Sequence, residues 1–390
     1  RLMSVAPEPA GDRSARTEVI PESDTAILEG FGTARDRLVL YEMRNYAAHV
    51  RLASLDGEPL GELELPTNGS LEGLSVQETS NRAALIFSSF FYPPTLFSVD
   101  LTEPRMDQLE QIETEIDVDA YEVTQASVPS EDGTPINVFL VHRRGVTPDG
   151  TNRVLLYGYG GFNISILPSF SRRALYWLDQ GGVYAVANLR GGGELGEEWH
   201  RAGQLEHKHH VFEDFEAVVR WLSESNWSNP ERIAILGGSN GGLLVGATLT
   251  RCPEAFAAAV GYVGLYDMVR YHEFPPAELW ISEYGSSEDP DQFRFLHEYS
   301  PYHNLEPNRA YPATLIETAD HDSRVFWGHS TKFAALLQDS STTPESVMFY
   351  MDRSVGHGAG TGRSDAIDQT VRMYAFLMWR LWGESAEPRP

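Results

Sequence analysis

A serine enclosed by glycines follows a short apolar run near the middle of the chain. The run 233–236 leads into Gly237-Gly-Ser239-Asn-Gly-Gly242, and an apolar, helix-like stretch follows. A G-x-S-x-G sequence between a strand and a helix is typical of a nucleophile elbow, whose sharp turn lifts the hydroxyl above a sheet. The helix N-terminus behind the turn favours developing negative charge. This context favours Ser239 as a nucleophile over a solvated serine in a glycine-rich turn.

A later loop holds candidates for the acid that orients a catalytic histidine. The run 311–318 has the pattern of a strand, and Asp320 and Asp322 both lie in the loop after it. In an α/β-hydrolase the acid comes after the nucleophile and follows a later strand. A buried carboxylate there would hold the histidine in one tautomer and stabilise its protonated form. On the residues alone, both aspartates are candidates.

The base is predicted on the loop after the next strand. The run 347–350 is that strand, and Gly356-His357-Gly-Ala-Gly360 follows it. The small neighbours leave the His357 imidazole room to move between a nucleophile and a leaving group. His321 and His329 come too early for the order nucleophile, acid, base. The three segments together predict a catalytic triad of Ser239, Asp322 or Asp320, and His357.

Such a triad needs a mostly parallel sheet to bring its loops together. From residue 121 onward, strand-like runs alternate with helix-like stretches, which predicts an α/β-hydrolase fold with helices on both faces of the sheet. The predicted strands are 138–141, 154–157, 183–188, 233–236, 313–317 and 347–350. The predicted helices are 213–223, 242–250, 330–337 and 366–381. We assign residues 121–390 to this catalytic domain.

The chain before residue 120 has an all-β pattern. Residues up to about 25 are rich in Pro, Glu and Ala and predict a tail or loop. The short apolar runs 38–41, 50–53, 84–87 and 96–99 follow, separated by turn signals such as Asp56-Gly57 and Asn68-Gly69. This spacing predicts antiparallel blades or a sandwich. We assign residues 1–120 to a tail and this β segment.

Composition argues against several classes of function. A net charge of −26 repels phosphate backbones and anionic lipid heads, so we expect no nucleic-acid or membrane partner. Cys252 is the only cysteine, which rules out an internal disulfide and fits a reducing compartment. Residues 1–24 lack the apolar core of a signal peptide, and no run approaches the length of a membrane span. We therefore expect a cytoplasmic location.

Two segments invite a cofactor interpretation that we reject. The stretch 206–210 contains three histidines, but without a carboxylate and histidine at paired helical spacing a metal site is disfavoured. The run 191–193 is all glycine, but it lacks the Lys and Ser/Thr of a phosphate loop and is interpreted as a close-packing turn. We expect neither a metal nor an organic cofactor.

Four motifs make the chain similar to the prolyl oligopeptidase family. They are Leu156-Tyr-Gly-Tyr-Gly-Gly-Phe-Asn-Ile-Ser165, Asn188-Leu-Arg-Gly-Gly-Gly-Glu-Leu-Gly-Glu-Glu-Trp-His200, Gly237-Gly-Ser-Asn-Gly-Gly242 and Gly356-His-Gly-Ala-Gly360. The resemblance is dense over residues 120–390. Residues 30–115 more weakly resemble the closing blades of the family's seven-bladed propeller. The resemblance implies a serine peptidase that cleaves short peptides on the carboxyl side of proline.

The resemblance also implies a role for individual residues. The family's acid stands two residues before an arginine, which selects Asp322. The Tyr159 hydroxyl and the backbone N–H of Asn240 would donate to the oxyanion. Arg324 would hold a carbonyl of the substrate backbone with its fork of donors.

A proline pocket is implied as well. Trp280 would stack flat on the substrate proline ring, because aromatic walls suit a rigid apolar ring without a donor. The rest of the pocket would be lined by Phe162, Tyr284, Val325 and Leu265. Three features depart from the family: Ser323 replaces a usual Asp, Leu265 replaces a smaller Val, and Phe326-Trp327 are larger than usual.

Two alternatives stay open. One is a related serine hydrolase of other specificity, such as oligopeptidase B, acylaminoacyl peptidase or an esterase. Oligopeptidase B would need acidic residues to pair a basic side chain, and the aromatic residues Trp280 and Phe162 argue against it. The other is an inactive, truncated remnant, because the family's enzymes are longer, mainly through additional propeller. The intact set of triad and oxyanion residues argues against loss of function.

Overall fold

The computed structural model describes residues 1–5, 16–114, 117–358 and 362–383. The chain forms two compact units. The first contains Arg1–Asp119 and the short segment Leu167–Ser171, and the second contains Ala120–Ile166 and Arg172–Pro390. Among the residues described, no helix combines the length and the apolar character needed to cross a membrane.

The first unit consists of antiparallel strands. They are β1 (Leu2–Val5), β2 (Arg16–Ile20), β3 (Ile27–Thr33), β4 (Arg37–Arg44), β5 (Ala47–Ser54), β6 (Pro59–Glu62), β7 (Ser70–Gln77), β8 (Arg82–Ser88), β9 (Thr95–Asp100) and β10 (Arg105–Gln111). Strands β3–β6 form one four-stranded meander and β7–β10 form a second. Alternate residues such as Val50, Leu52, Leu85 and Phe87 face a shared core. This confirms the all-β, blade-like segment.

The predicted tail is wrong at two places within the first 25 residues. Strands β1 and β2 pair in an antiparallel ribbon, with Leu2 opposite Ile20. Ile20 is buried against Leu38 and Leu40, and Leu2 packs on the same small cluster. Composition alone suggests a loop here, because the apolar residues of each strand are few and their partners lie in another part of the sequence.

The second unit is built on a sheet of eight strands within its described residues. They are β11 (Tyr121–Pro129), β12 (Pro135–Arg143), β13 (Val154–Tyr157), β14 (Val183–Asn188), β15 (Ile233–Gly238), β16 (Ala258–Tyr262), β17 (Ala313–Ala319) and β18 (Val347–Asp352). Their order is β11-β12-β14-β13-β15-β16-β17-β18. β11 pairs with β12, and β12 with β14, in antiparallel orientation. All the other neighbouring strands, from β14 and β13 to β18, are parallel. The predicted α/β-hydrolase fold is confirmed.

Helices cover both faces of this sheet. They are α1 (Arg172–Asp179), α2 (Glu197–Arg201), α3 (His209–Glu224), α4 (Asn240–Arg251), α5 (Ile281–Tyr284), α6 (Pro290–Tyr299), α7 (Gly328–Ser340) and α8 (Arg363–Trp382). On β15, Ile233 and Ile235 join the core under α3, α4 and α7, while Ala234 joins the core under α1 and α8. The sequence pattern does not predict β16, whose residues Ala-Ala-Val-Gly-Tyr are mostly small.

His329, in the first turn of α7, makes folding sensitive to acid. It is buried, and its Nδ1 accepts the Asp267 N–H at 3.1 Å. Burial lowers the pKa of His329 from 6.5 to about 4, so the folded protein holds it neutral. The unfolded chain takes up this proton near pH 6.5, so stability falls by about 3 kcal/mol as pH drops from there to about 4.

Urea denaturation at neutral pH and at about pH 4 tests this prediction. The variant His329→Gln keeps an acceptor for the Asp267 N–H but cannot titrate. We expect its loss of stability in acid to be smaller than that of the unmodified chain. An equal loss in both proteins would contradict the assignment.

Candidate active site

Ser239 sits on a strained turn between β15 and α4. Its backbone has a positive φ, with φ 58° and ψ −120°, which is costly for a residue with a side chain. The turn is anchored by its N–H, which donates to the Tyr262 carbonyl at 2.8 Å. A Cβ on Gly237 would lie 2.1 Å from the Gly241 carbonyl oxygen, so this tight strand-to-helix passage requires glycine.

His357 connects Ser239 to Asp322 through two hydrogen bonds. Its Nε2 lies 3.0 Å from the Ser239 Oγ, and its Nδ1 lies 2.8 Å from the Asp322 Oδ2. The Asp322 side chain has no exposed surface, and its Oδ1 accepts the N–H groups of Arg324 (2.8 Å) and Val325 (2.9 Å). An ionised carboxylate only accepts hydrogen bonds, so Nδ1 carries a proton and Nε2 of the neutral imidazole can accept one.

The structure separates the two aspartates that the residues alone leave open. Of these two, the structure joins Asp322 to His357, whereas the Asp320 side chain is one-third exposed and lies 3.7 Å from His321. Ser239, Asp322 and His357 follow β15, β17 and β18, so all three stand at the carboxyl edge of the parallel strands. Ala359 and Gly360, which belong to the predicted histidine loop, lie outside the described residues.

Tyr159 and Asn240 stand beside Ser239. Burial raises the pKa of Tyr159, although a hydrogen bond between its side chain and Ser239 and the nearby Arg324 charge act in the opposite direction. Asn240 begins α4 and is buried; its Nδ2 donates to the Tyr159 carbonyl at 2.5 Å. Its Oδ1 accepts the Tyr284 hydroxyl at 2.8 Å. The Asn240 side chain therefore fixes the loop that carries Tyr159.

The predicted pocket residues belong to one apolar cluster. Leu265, Tyr284 and Val325 are buried in it, and Phe162 and Trp280 pack against it half-buried. The Phe162 ring meets Tyr284 edge-on at 5.4 Å and Trp280 edge-on at 6.2 Å between centroids. The structure thus brings the rings of Phe162, Tyr284 and Trp280 into contact, and it places Leu265 and Val325 in the same large core. Arg324 is exposed.

A buried ionic network beneath these residues escapes the sequence analysis. Lys208 is almost fully buried, and its Nζ donates to the Gly160 carbonyl at 2.9 Å and to the Glu283 Oε1 at 3.3 Å. The same Oε1 accepts the Phe162 N–H at 2.9 Å, while the Glu283 Oε2 pairs with His200 at 2.8 Å. The only signal for it in the sequence is that lysine is rare, since Lys208 is one of two lysines in the chain.

A cavity of about 220 Å³ opens beside Ser239 and His357. Tyr262, Glu317 and Arg372 are among its lining residues. Arg372 donates to the Glu317 Oε2 at 3.2 Å and lies 3.9 Å from the Asp352 carboxylate. Because Glu317 lies near the end of β17 and Asp352 ends β18, this arginine links the strands that carry the acid and histidine loops.

A serine, a histidine and an aspartate hydrogen-bonded at the carboxyl edge of this sheet define the chain as an α/β-hydrolase. Residues 168–383 match the model of the prolyl oligopeptidase family, and residues 1–111 match that of its N-terminal beta-propeller domain. The chain belongs to the prolyl oligopeptidase family of serine peptidases.

Relatives span nearly the whole chain. It is 34% identical over 340 residues to a prolyl endopeptidase of Elizabethkingia miricola, covering 87% of this chain and 48% of the relative. It is 36% identical over 380 residues to prolyl oligopeptidase A of Galerina marginata, covering 95% and 51%. A solved structure from a study of two prolyl endopeptidases is 40% identical with a TM-score of 0.95, over 98% of this chain and 56% of that one. The chain spans about half the length of these relatives.

Proposed function

We propose that this chain carries the catalytic machinery of a serine peptidase that cleaves short peptides on the carboxyl side of proline. The observation that carries the proposal is the hydrogen-bonded series Ser239–His357–Asp322, with distances of 3.0 and 2.8 Å. Neither link requires a loop to move before proton transfer. The names of the relatives support the substrate class, because they are prolyl endopeptidases and prolyl oligopeptidases.

The geometry suggests a two-step acyl transfer. His357 Nε2 takes the hydroxyl proton as Ser239 Oγ attacks the scissile carbonyl, and the imidazolium then gives this proton to the leaving amine. Water attacks the acyl-enzyme in the second step, with His357 again acting as base. Asp322 holds the Nδ1–H tautomer and stabilises the imidazolium in both steps. These groups need no metal or organic cofactor for this chemistry.

The oxyanion is proposed to receive the Tyr159 hydroxyl and the Asn240 N–H. Tyr159→Phe removes one donor and should lower kcat by about 10²- to 10³-fold with little change in KM, because the bond strengthens only as negative charge develops. Steady-state kinetics on a proline reporter peptide measure this. Tyr157→Phe, which removes a hydroxyl two residues earlier, is the matched control. A large rise in KM with unchanged kcat would contradict the role.

The apolar cluster supports the preference for proline. Trp280 and Phe162 are half-buried aromatic rings in contact with each other, and they pack on the core that contains Leu265, Tyr284 and Val325; aromatic walls of this kind suit a ring without a donor. We propose that Arg324, exposed near Tyr159, binds a carbonyl of the substrate backbone. Comparing Gly-Pro, Arg and acyl-Ala reporter substrates tests the specificity. Preferential cleavage after Arg or of acyl-Ala would favour oligopeptidase B or acylaminoacyl peptidase chemistry instead.

The Lys208–Glu283 pair is predicted to stabilise the loop that carries Tyr159 and Phe162. Burial lowers the pKa of Lys208, and Glu283 opposes that shift. Lys208→Met leaves the buried Glu283 carboxylate without its cation and should cost about 3–5 kcal/mol of folding stability. The double variant Lys208→Met/Glu283→Gln removes both charges and should recover part of the loss. Urea denaturation measures both, and an equal loss in the two variants would contradict the coupling.

A further inference from the structure

The first turns of α3 bring together metal-ligating side chains away from the proposed catalytic residues. The helix begins at His209, so His209 and His210 lie four and three residues before Glu213. Residues at these spacings are neighbours on a helix surface. The sequence-based helix begins only at residue 213 and therefore leaves both histidines outside it. The paired spacing that the sequence analysis finds missing is present once the helix starts four residues earlier.

These three side chains are already close to each other. One ligand atom from each of His209, His210 and Glu213 lies within 4.8 Å of the other two. All three side chains are partly buried, which limits the conformational freedom lost on binding an ion. To bind Zn²⁺, side-chain rotations would have to bring each of these atoms to about 2.0–2.2 Å from the ion, the distance at which nitrogen and carboxylate oxygen bind it.

Hydrogen bonds to backbone carbonyls hold both imidazoles in the tautomer that leaves Nε2 free for a metal. His209 Nδ1 lies 2.9 Å from the Glu206 carbonyl, and His210 Nδ1 lies 2.8 Å from the Ala202 carbonyl. A carbonyl oxygen only accepts, so each Nδ1 carries the proton. In the neutral rings the Nε2 lone pairs are then free to bind an ion. Ligating histidines commonly show this arrangement, with the second ring nitrogen bonded to a carbonyl.

The Glu213 carboxylate contributes charge that has no close cation among the described residues. Arg251, which lies near enough to be influenced by Glu213, forms its ion pair with Glu216 instead. Glu213 thus remains available as an anionic ligand. Two neutral imidazoles and a carboxylate suit Zn²⁺, Ni²⁺ or Co²⁺ better than Mg²⁺ or Ca²⁺, which prefer all-oxygen sites.

We infer that His209, His210 and Glu213 form a binding site for a divalent transition metal such as Zn²⁺, with water completing the coordination. The site closes the turn 202–210 onto α3, because the His210 ring is bonded to the Ala202 carbonyl. That turn also contains Lys208, which supports the Gly160 carbonyl. An ion bound here stabilises the folded state, since the separated ligands of the unfolded chain bind it weakly.

The experiment is Zn²⁺ titration by calorimetry of metal-free protein without a histidine tag. We expect one site, whose affinity for Zn²⁺ falls at least about tenfold in His210→Ala and in Glu213→Gln. Loss of a residue that only hydrogen-bonds to a metal ligand already lowers the affinity by about that factor. His207→Ala is the matched control, because His207 is a neighbouring histidine outside the cluster, and it should bind as the unmodified chain does. Circular dichroism establishes that each variant is folded.

Thermal unfolding provides a second readout that does not depend on activity. Zn²⁺ should raise the Tm of the unmodified chain and of His207→Ala, but not that of His210→Ala, and Mg²⁺ should have no effect. Unchanged affinity in both ligand variants would overturn the assignment, as would an equal loss in His207→Ala. The assignment would also be overturned if the unmodified chain bound Zn²⁺ no more tightly than the double variant His210→Ala/Glu213→Gln.

Discussion

Replacing Ser239 with alanine is expected to lower kcat/KM for a proline reporter peptide by at least about 10⁴-fold. Without the hydroxyl no acyl-enzyme forms, and only the rate due to oxyanion contacts and substrate positioning remains. The change removes one oxygen at a turn held by backbone hydrogen bonds, so the fold should persist. Initial rates of the two proteins, with circular dichroism as a check on folding, measure the effect.

Labelling with an organophosphonate probe distinguishes loss of the nucleophile from loss of activity for other reasons. The probe should modify the unmodified chain at Ser239 and leave the variant unlabelled. Equal cleavage rates in the two proteins would contradict the nucleophile assignment. A folded chain that neither cleaves the reporter nor takes the label would instead support the inactive remnant.

Asp322→Asn is expected to lower kcat by about 10⁴-fold while leaving the fold intact. The amide can donate to His357 Nδ1, which favours the tautomer with its proton on Nε2 and leaves no acceptor for the Ser239 hydroxyl. The two N–H groups of Arg324 and Val325 keep a carbonyl acceptor, so the loop should hold its conformation. Steady-state kinetics at several pH values measure the loss.

Asp320→Asn is the matched control for this experiment. It makes the same chemical change two residues earlier, on a side chain that is one-third exposed and lies 3.7 Å from His321. We expect its kcat to stay within a few-fold of the original value. If Asp320→Asn were as inactive as Asp322→Asn, the loop as a whole would be responsible and the acid would not be assigned.

Elements with strong local signals are predicted well, and those that depend on distant partners are not. The strand before Ser239 and the helix after it are read from a compact apolar–glycine–apolar pattern. The ribbon of β1 and β2 escapes because each strand is short and gains its stability from residues elsewhere. The start of α3 is placed four residues late, because His209 and His210 carry no apolar periodicity.

For the candidate site, residue types and chain order are enough to nominate Ser239 and His357. The resemblance adds Asp322, Tyr159, Asn240 and the pocket residues. What no pattern reveals is the buried support from Lys208 and Glu283, which are 75 residues apart in the chain. A charge pair of this kind has no periodicity, and its members meet only because α5 packs near the turn that precedes α3.

The sequence by itself determined the alternation of strands and helices, the elbow around Ser239 and the order of the three polar residues. These follow from local backbone preferences and from where apolar residues recur, which a linear pattern records directly. The tertiary structure showed which of the two aspartates left open by the residues meets His357, an outcome that the resemblance also implied. It alone showed that a lysine is buried under the Tyr159 loop and that two histidines share a helical turn with Glu213. Each of these depends on distances and burial that arise only when the sheet and its loops have packed.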